Sequence, residues 1–92
     1  MKINIIKRKL ELEKEQHEEA ISRCERLCKR FVDSINSVTM RLSDINGPKG
    51  GIDKECIVQI QLINGGVITA AKRHEHVSGA IHRSLDTARA LL

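Results

Sequence analysis

The chain has 92 residues and a formal charge of +4, with a pI near 9.2. That length allows one small domain, 1–92, and one Phe with no Trp or Tyr makes its core aliphatic. No apolar run approaches a membrane span and no signal-peptide stretch opens the chain, so a cytoplasmic protein without a membrane partner is expected. Three cysteines, an odd number spaced unlike a disulfide framework, fit a reducing compartment.

"KINII", Lys2 to Ile6, alternates and reads as a strand, with Ile3 and Ile5 on one face and Lys2 and Asn4 on the other. Lys7, Arg8 and Lys9 are placed in the loop that follows. From about Glu13 the period becomes helical. His17, Ala20, Ile21, Cys24, Leu27, Cys28, Phe31 and Ile35 fall on one stripe. Acids at its start and Lys29 and Arg30 near its end suit the helix dipole.

Alternation returns in "SVTMRL", where Val38, Met40 and Leu42 oppose Thr39 and Arg41. In "ECIVQIQLI", Cys56, Val58, Ile60 and Leu62 oppose Ile57, Gln59 and Gln61. Asn64-Gly65 predicts a type I′ hairpin, after which "GVITAA" returns antiparallel. From about His74 a second helix carries Val77, Ala80, Ile81, Leu85, Ala88 and Leu92 on its apolar stripe. The expected fold is α+β, in the order β-α-β-β-β-α. Two helices pack on one face of a four-stranded sheet, and the first two strands run parallel through a right-handed crossover.

"DINGPKGGID", Asp44 to Asp53, joins the second and third strands. Gly47-Pro48-Lys49-Gly50 fits a type I turn, Asn46 can close an Asx-turn and Gly51 can take positive φ. Two further readings stay open. Glycine N–H groups with Lys49 and Lys54 could cradle phosphate, although no Walker ending is present. Asp44, Asn46 and Asp53 could hold a cation, although the EF-hand spacing is absent.

Cys24, Cys28 and Cys56 all point inward by pattern. With His17 they could nominally hold zinc, but core packing is the expected role, with no metal and no cofactor. His74, His76 and His82 read as surface residues. No triad or paired-carboxylate pattern is present, so no enzyme is expected. The basic residues are the remaining signal. Arg23, Arg26 and Arg30 project from the half of the first helix opposite Cys24. Lys72 and Arg73 end the fourth strand, and Arg83 and Arg89 lie on the second helix. Such a set can be solvated charge or a multi-point phosphate surface, which arginine suits because its planar fork holds phosphate bidentately. The lack of exposed aromatics argues against base stacking, so an RNA partner would be met through backbone and shape.

The assembled pattern resembles the ribosome hibernation-promoting factor family, also known as sigma-54 modulation proteins. The resemblance rests on "INII", "RCERLCKRFVDSINSV", "NGGVITA" and "HEHVSGAIHRSLD". "RLSDINGPKGGIDKEC" is similar to the signature of a short, single-domain branch of the family. It implies a fold like that of double-stranded-RNA-binding domains. It also implies binding to the small ribosomal subunit and its ribosomal RNA near the decoding channel, inhibiting translation or stabilising idle ribosomes under stress. No DNA partner and no dimerisation domain are expected. The RNA-binding residues expected are Lys7, Arg8, Arg23, Arg26, Arg30, Lys49, Arg73, Arg83 and Arg89. Ser78, His82 and Thr87 stand where the family usually has Tyr, Asp and Lys, so the second helix is less basic than the pattern. The alternative function is a non-ribosomal, stress-related regulatory module that binds a protein or small ligand through the same fold.

Overall fold

The computed structural model describes residues 2–45 and 51–92. Its elements are β1 (Lys2–Arg8), α1 (Lys14–Arg30), β2 (Ile35–Asp44), β3 (Lys54–Leu62), β4 (Val67–His74) and α2 (Val77–Ala90). The sheet order is β1-β2-β3-β4. β1 runs parallel to β2, and the other two pairings are antiparallel. The β-α-β-β-β-α order and α+β class are those expected from the sequence.

The register explains why one face is dry. Ile3, Val38, Ile60 and Ile68 form one row across the sheet, and Ile5, Met40, Val58 and Ala70 the next. Val38, Met40, Val58 and Ile60 are completely buried, together with Ala20 and Cys24 of α1 and Ala80 and Ala88 of α2. Each helix therefore lays its apolar stripe on the same sheet face. Truncating a buried Ile, Leu or Met here to Ala would cost about 2–5 kcal/mol, since the close-packed surroundings collapse only partly.

The element boundaries differ from the periodicity at four places. Lys7 and Arg8 belong to β1 rather than to a loop, and pair with Leu42 and Ser43. Ile35 keeps helical spacing from Phe31 but opens β2. The helix ends where Phe31 takes φ −119°, ψ 42°. A bulge between Ile35 and Ser37 then turns Ile35 into the core. His17 is exposed, because burial along α1 begins after its turn, at Ala20. His74 is the last residue of β4. Its Nδ1 accepts the His76 N–H at 3.0 Å, and α2 begins at Val77.

The β3–β4 connection is not a two-residue type I′ turn, which needs positive φ at both central residues. Gly65 has φ +97°, whereas Asn64 does not lie in that region. Leu62 and Gly66 are joined by an N–H···O bond of 2.8 Å, and the Gly65 N–H donates to Leu62 O at 3.0 Å. This is a three-residue loop, a turn followed by a left-handed glycine. The Ile63 N–H meanwhile donates to Ser34 O at 2.9 Å, tying the hairpin to the turn after α1.

Gly51 has φ +88°, the positive value that the sequence allows it. A Cβ at Gly51 or Gly65 would meet nothing within 4 Å, so only backbone strain opposes substitution. Gly51→Val and Gly65→Val should each lower stability by about 1–3 kcal/mol. Urea unfolding checks this, and an unchanged midpoint in either variant would contradict the left-handed assignment.

Candidate nucleic-acid interface

Arg23, Arg26 and Arg30 recur at three- and four-residue spacing, so one flank of α1 carries all three. That flank faces α2. The two helices border an open cleft of about 380 Å³, lined by Arg23, Arg26, Leu27, Arg30, Leu85, Asp86 and Arg89. Leu27 and Leu85 are buried and form its apolar floor. Four guanidinium groups against one carboxylate leave the lining with a formal charge of 4 − 1 = +3.

The ion pairs leave most of that charge free. Arg23 is held by Glu19, one turn earlier, at 2.9 Å. Asp86 is engaged by His82 Nε2 at 3.1 Å. Arg26, Arg30 and Arg89 make no ion pair among the described residues, and the Arg30 guanidinium lies 5.9 Å from the Phe31 ring centroid. Surface pairs such as Arg23–Glu19 hold little energy, so a phosphate can displace them. A positive groove with forked donors and no stacking aromatic suits phosphate oxygens better than bases.

The other expected site residues lie elsewhere. Arg83 is on α2 but about 120° around the helix from Arg89, away from the cleft. Arg73 projects from the opposite face of the sheet and pairs with Glu55 at 3.0 Å. Arg8 shares that face, and Lys7 lies at the inner-face end of edge strand β1. Lys49 lies outside the described residues, as do Asn46, Gly47, Pro48 and Gly50. The cleft also contains Asp86, Leu27 and Leu85, to which a pattern of basic residues gives no pointer. Asp86 falls three residues before Arg89, so helical spacing alone could have placed it there.

At the base of the same connecting segment, Lys54 Nζ donates to Asp53 Oδ1 at 2.8 Å and to Asp44 Oδ2 at 3.3 Å. The bond to Asp53 is the main reason the Lys54 ammonium is held above its usual pKa. Asp53 is fully buried. Its Oδ1 is thus committed to a lysine, and among the described residues no group of His, Cys, Asp or Glu is placed to hold a metal ion.

Cys24, Cys28 and Cys56 are free and buried. Burial pushes the Cys24 thiol up to about 12 and the Cys56 thiol to about 11, the latter against a bond from Ser84 Oγ at 3.0 Å. Burial also raises Cys28. Thiols held neutral are poor nucleophiles and poor metal ligands, so these are packing residues.

A mixed four-stranded sheet covered on one face by two helices, with arginines in the groove between them, defines a small α+β domain with a positively charged cleft. The family described as "Sigma 54 modulation protein / S30EA ribosomal protein" matches residues 3–92, and the chain belongs to it. Among solved structures, the chain is similar to the N-terminal domain of Protein Y from Thermus thermophilus. Identity is 23%, the TM-score is 0.78, and the match covers 99% of this chain and 94% of that one. It is also similar to a ribosomal subunit interface protein from Coxiella burnetii, at 16% identity and a TM-score of 0.82, covering 100% and 93%. These two likenesses establish the fold. A comparison with curated proteins finds no match.

The cysteine environment has a pH consequence. The folded state keeps Cys24 neutral up to about 12, whereas an unfolded thiol ionises near 9.0. A group whose pKa is raised on folding contributes stability below its unfolded pKa and loses it as pH rises. Stability should therefore fall between about pH 9 and 12, and less so in Cys24→Ala than in the parent. Native thiols should react with a disulfide reagent only on the timescale of unfolding. Rapid labelling of the folded protein near neutral pH would contradict this.

Proposed function

We propose that the protein is a ribosome-associated factor that binds ribosomal RNA of the small subunit near the decoding channel through the α1–α2 cleft. It acts by occupying that channel, so that translation is inhibited or idle ribosomes are preserved, and not by catalysis. The observation that carries this reading is the convergence of Arg23, Arg26, Arg30 and Arg89 on one groove. Family membership supports the ribosomal partner, as does the likeness to a ribosomal subunit interface protein. RNA phosphates satisfy the guanidinium forks, and the apolar floor keeps the groove open between them. Lys49 is proposed as a separate charged contact and Arg83 as a peripheral one.

Co-sedimentation with purified small subunits across a salt series tests the reading. Each phosphate contact contributes roughly 0.7–0.9 to the slope of log affinity against log salt. Arg26→Ala with Arg89→Ala should reduce the slope by about two contacts' worth, and Lys49→Ala by about one. Asp86→Asn removes the groove's one carboxylate and should strengthen binding several-fold at low salt. Affinity that hardly changes with salt, or with the Arg26 and Arg89 substitutions, would rule out the cleft as the RNA site.

A further inference from the structure

The sheet face turned away from the helices has its own charge pattern. The register places four rows on it. Lys2, Ser37, Gln61 and Val67 form the first, and Asn4, Thr39, Gln59 and Thr69 the second. The third holds Ile6, Arg41, Ile57 and Ala71, and the fourth Arg8, Ser43, Glu55 and Arg73. Four cations and one anion give this face a formal charge of 4 − 1 = +3, although most of the chain's acids lie on the helical side or in loops. Glu55 is the only carboxylate in these rows, and Arg73 neutralises it. Lys2, Arg8 and Arg41 are exposed and make no ion pair among the described residues. Arg41 is steered by a bond from Nη1 to Gln59 Oε1 at 3.3 Å.

The rest of the face is largely hydroxyl and amide side chains, which can bond phosphate and ribose oxygens. A solvated sheet face needs no such charge excess to fold. Opposite charges placed across strands would stabilise it more, since cross-strand pairs of opposite sign are favourable. The molecule is only 18 Å along its shortest axis, and the arginine cleft lies on its other broad side.

We infer that the outer sheet face is a second RNA-backbone surface, so that one chain bridges two RNA segments, one in the α1–α2 cleft and one across Lys2, Arg8, Arg41 and Arg73. The inference rests on the proposed RNA reading of the cleft. It adds that binding is two-sided, with the domain acting as a thin cationic spacer between two polyanions. Two RNA segments that repel each other at close range are held by neutralisation on both sides, and each contact releases counterions independently.

The test uses two RNA duplexes of about 16 base pairs, one with a donor dye and one with an acceptor, at substoichiometric protein. Energy transfer should appear with the parent chain, and sedimentation should give one chain with two duplexes. Arg8→Gln with Arg41→Gln should reduce transfer at least tenfold while leaving affinity for a single duplex within about threefold. Both residues are exposed, and equal melting temperatures verify that the fold is intact. Arg26→Ala with Arg89→Ala should also abolish transfer and should weaken single-duplex binding. Absence of transfer in the parent at concentrations where single duplexes bind would overturn the bridge and leave the cleft reading standing. Transfer that survives Arg8→Gln with Arg41→Gln, or complexes containing two chains, would also overturn it. Single-duplex affinity unchanged by the Arg26 and Arg89 substitutions would instead remove the cleft reading, and the bridge with it.

Discussion

Everything in this fold follows from having one apolar sheet face and two amphipathic helices to cover it. Val38, Met40, Val58 and Ile60 sit at the centre of that face and are completely excluded from water. Their side chains alternate with Thr39, Arg41 and Gln59, which cannot be buried without partners. The helices must therefore both lie on one side, next to each other. That side-by-side arrangement creates the groove between Leu27 and Leu85, and the flanking positions of each helix become its walls. The arginines are brought together by hydrophobic burial beneath them, not by any attraction among themselves.

The same constraint leaves the second face of the sheet open. Two small cationic surfaces thus lie on opposite sides of a thin body, each set by a different element. The groove depends on the helix–helix contact, and the sheet face only on strand register. Within the helices, Glu19 pairs with Arg23 and His82 contacts Asp86, each one turn apart. Such exposed pairs contribute little to stability and are easily exchanged for a phosphate.

The Lys54–Asp53–Asp44 cluster has a different role from the arginines. A buried carboxylate is tolerated only when a charge partner and hydrogen bonds compensate its lost hydration. Here Lys54, the first residue of β3, supplies the charge and one bond, to Oδ1, while Oδ2 has no hydrogen-bond partner among the described residues, and Asp44 occupies the last residue of β2. The Ile45 N–H donates to Asp53 O at 2.9 Å and closes the ends of the segment. The connection between β2 and β3 is thereby anchored at its base, whatever its tip contacts.

How much of this is legible in the sequence depends on the range of the interaction involved. The strands show in Val38, Met40 and Leu42 because each has one wet and one dry face, and a two-residue period is a local property. The positive φ of Gly51 is also legible, since local steric limits decide it. Ile35 misleads because four-residue spacing from Phe31 mimics helix, while a bulge against β3 fixes where it points. The Asn64-Gly65 turn misleads for a similar reason: a bond from Ile63 to Ser34, distant in sequence, accompanies a three-residue loop. The sequence by itself thus determined the elements, the aliphatic core and the three arginines along one helix flank. Only the tertiary structure decided that Arg89 joins them, that Arg83 and Arg73 do not, and that Arg8 and Arg41 share the other face. Those outcomes depend on which helix side meets which neighbour and on strand register, contacts that the linear chain leaves many residues apart.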